Sequence, residues 1–237
     1  MQAANRVQKA LRSGSGLTFG AWQMLPGSNQ ARTIARCALD SGAHGIIVPL
    51  LETPEDAKKL VRSAKFPPTG NRGFGSPFPM EKFGGLSQTG YLQQANDALL
   101  TIVQIETKEA LENVDAIAKV PGIDVLFVGP FDLGNNIGHP ILDGTMHEEL
   151  KEAIAKIQQA AKENHRSSGI YSTSGDQARG FADQGFNMVH VMTDMVALPT
   201  FMTSSLTAAR GSYVHSALNV GKGAMSGLAS IAGRSEQ

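Results

Sequence analysis

Leu100-Thr101-Ile102-Val103-Gln104-Ile105-Glu106-Thr107 and, one helical stretch later, Val125-Leu126-Phe127-Val128-Gly129-Pro130-Phe131-Asp132-Leu133 decide the fold. Each opens with a short run rich in apolar and β-branched residues and without strict polar/apolar alternation. Such a run suits a strand covered on both faces, as in a parallel sheet flanked by helices. Between the two runs Thr107 offers an N-cap, and Ala110, Leu111, Val114, Ile117 and Ala118 recur at the helical period until Pro121-Gly122 stops it. A strand, a helical crossover and a second strand make the unit of an α/β fold.

Outward from this unit the pattern repeats. Strands are expected at Leu17–Trp22, Gly45–Leu50, Leu100–Ile105, Val125–Val128, Ser168–Tyr171 and Met188–Met192, six in all. Helices are expected at Pro54–Ala64, where Thr53 caps and Glu55 and Asp56 complement the dipole, and at Met146–Glu163 and Gly175–Gln184. Two further helices, Met195–Arg210 and Ser212–Ala232, would complete the chain, with residues 212–237 a weakly ordered or helical tail. The whole, residues 1–237, reads as a single (β/α)-barrel domain of TIM type. Lys65 to Ala98, dense in Pro and Gly, reads as one long loop of the kind that serves a site or an interface.

Composition narrows the function classes. Lys plus Arg and Asp plus Glu are both 21, so no net positive field favours nucleic acid or an anionic membrane. No run approaches the ~18 apolar residues of a membrane span. The lone Cys37 cannot form an internal disulfide, and the first residues lack an apolar signal-peptide core, which points to a reducing, cytoplasmic compartment. A small-molecule role is the default.

Two carboxylates carry the chemistry. Glu106 ends one strand and Asp132 follows the next, and in a parallel barrel those ends face the active site. A hard divalent ion such as Mg²⁺ is held by one or two carboxylates with waters and substrate oxygens. Capping of the next helix, or pairing with an Arg, is the plainer role for the same residues. Gln104 shares a strand face with Glu106 and could orient a bound carbonyl, or be an ordinary interior polar residue. Asn71-Arg72-Gly73-Phe74-Gly75-Ser76-Pro77 reads as a shaped active-site loop or a plain surface loop; it lacks the ending of a P-loop. Trp22 could line the barrel mouth or simply pack. No two histidines have helical metal-ligand spacing, and none is given a catalytic role; Cys37 is expected to pack.

Six blocks in order resemble the HpcH/HpaI aldolase family. They are Phe19-Gly20-Ala21-Trp22, Ala38-Leu39-Asp40-Ser41-Gly42-Ala43, Val48-Pro49-Leu50, Phe66-Pro67-Pro68-Thr69-Gly70-Asn71-Arg72-Gly73, Gln104-Ile105-Glu106-Thr107 and Gly129-Pro130-Phe131-Asp132-Leu133. The resemblance runs from about Gly16 to Gly211. It implies an eight-stranded barrel that binds a divalent cation (Mg²⁺, with Mn²⁺ or Co²⁺ as alternatives) and pyruvate or oxaloacetate. Such a protein would make or break a carbon–carbon bond through a pyruvate enolate, in some members by oxaloacetate decarboxylation. Glu106 and Asp132 would be metal ligands and Gln104 a catalytic, substrate-side residue. Trp22 and the Phe131–Asp132 backbone would contact substrate, while Asp40, with Arg72 behind it, would lie near an interface of a homo-oligomer.

One departure follows from the same resemblance. Family members carry, before the Ala-Leu-Asp block, a strand ending in an acidic-His-Gly motif, a helix, and a strand bearing an Arg. Here Ile34-Ala35-Arg36-Cys37 runs straight into Ala38-Leu39-Asp40, so a stretch of at least ~30 residues has no counterpart. Six of eight strands cannot close the usual barrel and leave edges open. The alternative to an active lyase is therefore a catalytically impaired member that binds metal or assembles with an intact paralogue. A phosphosugar isomerase-type barrel is a third reading, carried only by the glycine loop.

Overall fold

The computed structural model describes residues 36–210. Five parallel strands form one sheet in chain order: β1 (Gly45–Val48), β2 (Leu100–Ile105), β3 (Val125–Val128), β4 (Ser167–Ile170) and β5 (Met188–Val189). In register, Val48 stands opposite Val103, Gln104 opposite Phe127 and Val128 opposite Ile170. Three helices, α1 (Pro54–Ala64), α2 (Phe78–Lys82) and α3 (Gln88–Ala98), separate β1 from β2. Next come α4 (Lys108–Glu112) and α5 (Val114–Ala118), then α6 (Pro130–Asn136) and α7 (Glu148–Glu163), and finally α8 (Gly175–Asp183) before β5.

Each strand adds on the same side of its predecessor, so right-handed crossovers put the helices between the strands on one face of the sheet. Val103, Ile105, Leu126, Val128 and Ile170 point into that face, and with the helices' apolar stripes they form the large core cluster. Leu100, Ile102, Val125, Phe127 and Met188 line the opposite face in a much smaller cluster. A parallel sheet with helices on one face is a partial TIM-type barrel, and the helix-free face is the one a closed barrel turns inward. Side-chain caps start the helices as expected: Thr53 Oγ1 accepts from Asp56 N–H at 3.2 Å and Thr107 Oγ1 from Ala110 N–H at 3.1 Å.

Several expectations change. The first of the six strands, and Trp22 in it, lie outside the described residues, as does the helix expected over Ser212–Ala232. The last strand is two residues long rather than five. Lys65–Ala98 is not one loop: α2 and α3 occupy half of it, and Ser87 caps α3 by accepting from Gly90 N–H at 3.2 Å. Tyr91, Ala95 and Ala98 bury at helical spacing despite the neighbouring glycines. The helix after Thr107 breaks at Asn113, whose Nδ2 donates to Glu52 O at 3.1 Å. Cys37, expected to pack, is exposed.

The chain divides into two compact units, Met1–Val191 and Met192–Gln237. The described part of the second is a helix over 194–210. No helix among the described residues is long and apolar enough to cross a membrane.

Candidate active site at the carboxyl ends of β2 and β3

Parallel strands joined by helical crossovers deliver their carboxyl ends to one edge of the sheet, where functional groups gather. Glu106 follows β2 directly. Asp132 stands in the first turn of α6, which begins two residues after β3 ends. Pleating places Gln104 and Glu106 on the helix-free face, and Gln104 Nε2 donates to Glu106 Oε2. Both are 2% exposed. Glu106 Oε1 accepts from Leu50 N–H at 2.8 Å. Leu50 itself has φ +52°, a left-handed backbone that costs an L-residue about 1–2 kcal/mol.

Burial pushes the Glu106 carboxyl above its ordinary value of 4.5. The Leu50 N–H and the Gln104 amide pull it back, while the nearby Asp132 carboxylate adds to the rise. Among the described residues no Lys or Arg forms an ion pair with either carboxylate. Gln104 Oε1 is buried without a hydrogen-bond partner. Two neighbouring carboxylates and an orphaned carbonyl oxygen present acceptor atoms together, which fits a hard divalent cation.

Gly129 completes the arrangement. A Cβ there would stand 2.6 Å from Glu106 Oε2 and 2.7 Å from Gln104 Nε2. Its backbone (φ −98°, ψ 86°) does not require glycine; the packed side chains do. Its place in Val128-Gly129-Pro130 was visible in the sequence, but the two side chains converging over it were not.

Other site candidates scatter. Phe131 is 42% exposed beside Asp132, and its ring meets Tyr171 edge-on at 6.0 Å. Tyr171 stacks on His190 at 4.3 Å, extending the same edge past β4 and β5 with two residues that sequence spacing had not singled out. Asp40 and Arg72 pair with each other: Arg72 Nη2 and Nε donate to Asp40 Oδ1 at 2.7 and 3.2 Å. Arg72 is buried over the Phe66 ring, 4.6 Å from its centre, so it pins the 71–77 loop to the helical segment at 36–40.

Oxygen atoms converging beyond the ends of adjacent parallel strands occupy the place where (β/α) barrels carry their active sites, and this set suits a cation. The HpcH/HpaI aldolase/citrate lyase profile matches residues 25–198, and the chain belongs to that family. It is 37% identical over 172 residues to a hydroxypyruvate/pyruvate aldolase of Rhizorhabdus wittichii, covering 73% of this chain and 67% of that protein. An HpcH/HpaI aldolase/citrate lyase family protein from Burkholderia cenocepacia superposes with a TM-score of 0.67 at 32% identity, over 76% of this chain and 70% of that one. Macrophomate synthase superposes with a TM-score of 0.64 at 31% identity, over 76% and 63%. The matched part thus spans about two thirds of these proteins' length.

Proposed function

We propose that the chain is a metal-dependent carbon–carbon lyase, an aldolase acting on 2-oxo acids such as pyruvate and oxaloacetate. Glu106 and Asp132 hold the cation, Mg²⁺ first, with Mn²⁺ or Co²⁺ able to replace it. The observation that carries this is a pair of neighbouring carboxylates with no Lys or Arg ion pair among the described residues, beside the orphaned Gln104 oxygen. When bound, the cation polarises substrate oxygens and stabilises the negative charge that develops as the carbon–carbon bond breaks. Glu106, held by Leu50 N–H and Gln104, presents its carboxylate in a fixed position without reorganising. Phe131 and Asp132 occupy the first turn of α6, where N–H groups lack intrahelical partners and can receive a substrate carboxylate. Gly129 leaves room for the Glu106 and Gln104 side chains to meet. Asp40 lies near a homo-oligomer interface in this reading, and the single Cys37 fits a cytoplasmic setting.

The test uses tag-free protein treated with a chelator, then Mg²⁺ or Mn²⁺, with pyruvate release from oxaloacetate and from a 4-hydroxy-2-oxo acid as readout. Metal-dependent release that Glu106→Gln abolishes is expected. Absence of any metal-dependent pyruvate release would sink the proposal.

One observation favours a second reading. Arg36-Cys37 runs directly into Ala38-Leu39-Asp40, so the histidine and arginine implied by family resemblance are missing, and general acid–base catalysis alone contributes ~10²–10⁴ in rate. A protein that binds one metal ion through Glu106 and Asp132 yet releases no pyruvate would be the impaired member, a partner for an intact paralogue.

A further inference from the structure

Away from β2 and β3, one other group of ligand-type side chains converges among the described residues: His139, His147 and Glu149, whose ligand atoms all lie within 4.8 Å of one another. A tight reversal brings them together. Leu142 and Thr145 form an antiparallel bridge around Asp143 and Gly144, both at positive φ (51° and 75°), the residue pair that a type I′ turn prefers. The two imidazoles end up stacked, 4.0 Å between centres and 4° from parallel, so one ring must turn about its side-chain torsions before both nitrogen lone pairs, which lie in the ring planes, meet at one ion. Sequence spacing hid this, because a turn rather than a helix sets the distance.

Both ends of the reversal are anchored. His139 N–H donates to Gly134 O at 2.8 Å, and a Cβ at residue 134 would stand 2.7 Å from the His139 carbonyl, so α6 and the loop touch backbone to backbone. His147 is the N-cap of α7; its Nδ1 accepts from Glu149 N–H at 3.3 Å, which leaves Nε2 for an outside ligand. Glu149 Oε2 already lies 2.9 Å from His139 Nε2. The positive end of α7 opposes a cation here, and Glu148 and Glu149 in its first turn offset that field.

Two imidazoles and a carboxylate are the donor set of Zn²⁺ and its neighbours, Ni²⁺ and Cu²⁺, and not of Mg²⁺. We propose that His139, His147 and Glu149 bind a transition-metal ion of the Zn²⁺ class, separate from the Glu106–Asp132 site. His139 and Glu149 keep 26% and 65% of their side-chain surface exposed, which leaves the remaining coordination position to water. The bound ion staples the 139–147 loop to the start of α7, and through Gly134 it braces α6, the helix that bears Asp132. This site does not depend on the lyase reading.

The test is calorimetric titration of Zn²⁺ into tag-free, chelator-stripped, full-length protein held in saturating Mg²⁺. One equivalent of Zn²⁺ is expected, weakened in His139→Gln and in His147→Asn by at least the ~10–100-fold that follows loss of even an outer partner of a metal ligand. Asn at 147 keeps a capping oxygen, so α7 still starts there, and the melting temperature checks each variant. Glu106→Gln is expected to retain this equivalent. Unchanged Zn²⁺ affinity in both histidine variants overturns the assignment, as does loss of the equivalent in Glu106→Gln. Should His147→Asn fail to fold, His139→Gln decides alone.

Discussion

Replacing Gly129 with Ala tests the candidate active site through a single methyl group. The added Cβ would stand 2.6 Å from Glu106 Oε2 and 2.7 Å from Gln104 Nε2, where ordinary contact needs about 3.5–4.0 Å. Both tips must therefore retreat by roughly 1 Å. Neither can do so freely, because both side chains are buried and Glu106 Oε1 is tied to Leu50 N–H. Overpacking of this kind costs about 1–3 kcal/mol. At about 2–4 °C per kcal/mol for a chain of this size, the melting temperature falls by roughly 2–12 °C. A ~1 Å displacement of a positioned group costs about 10²-fold in rate, so any metal-dependent pyruvate release drops by that factor and metal affinity falls with it. Gly180→Ala in α8 is the control: nothing lies within 4 Å of its added Cβ, and helix propensity favours Ala by up to about 1 kcal/mol. The assays are thermal denaturation in chelator, Mn²⁺ titration and pyruvate release. A Gly129→Ala protein with unchanged melting temperature and metal affinity would refute the cradle.

Further expectations concern charge. Because burial raises the Glu106 pKa, the native state holds a proton the unfolded state has released, so the stability of chelator-treated protein falls as pH climbs from 4.5 through that raised value. Glu106→Gln removes this slope: its melting temperature should gain on the unsubstituted protein as pH rises through that window, while Mg²⁺ affinity at the Glu106–Asp132 pair is lost. Equal pH slopes would show that Glu106 is not desolvated. Asp40→Ala leaves the 1%-exposed Arg72 side chain unpaired and is expected to cost about 3 kcal/mol, the low end for a broken buried pair because Asp40 is a third exposed. Denaturant titration measures it, and adding Arg72→Met should recover part of the loss.

Much of the architecture was legible in local patterns. The apolar runs of β2 and β3, the Thr53 and Thr107 caps, and the Glu106 and Asp132 positions each depend on residues a few places apart. The misses have long-range causes. Asn113 ends a helix that periodicity would continue, because its amide reaches Glu52 O across the fold. The Lys65–Ala98 stretch looked loop-like, yet Tyr91 buries among Phe66, Phe74 and Phe83, and Lys65 Nζ, buried, donates to Asn96 O at 2.7 Å and Leu99 O at 2.5 Å. Those contacts make α3 worth forming where propensity alone is weak.

Sequence by itself determined a parallel α/β fold of TIM type and two acidic residues at the carboxyl ends of its strands, because strand coverage, capping and strand-end placement follow from spacing within single elements. Only the tertiary structure decided that Leu50 turns its N–H onto Glu106, that Gly129 must lack a side chain, and that His139 meets His147. Each depends on strand register or turn geometry that brings together groups no local period relates.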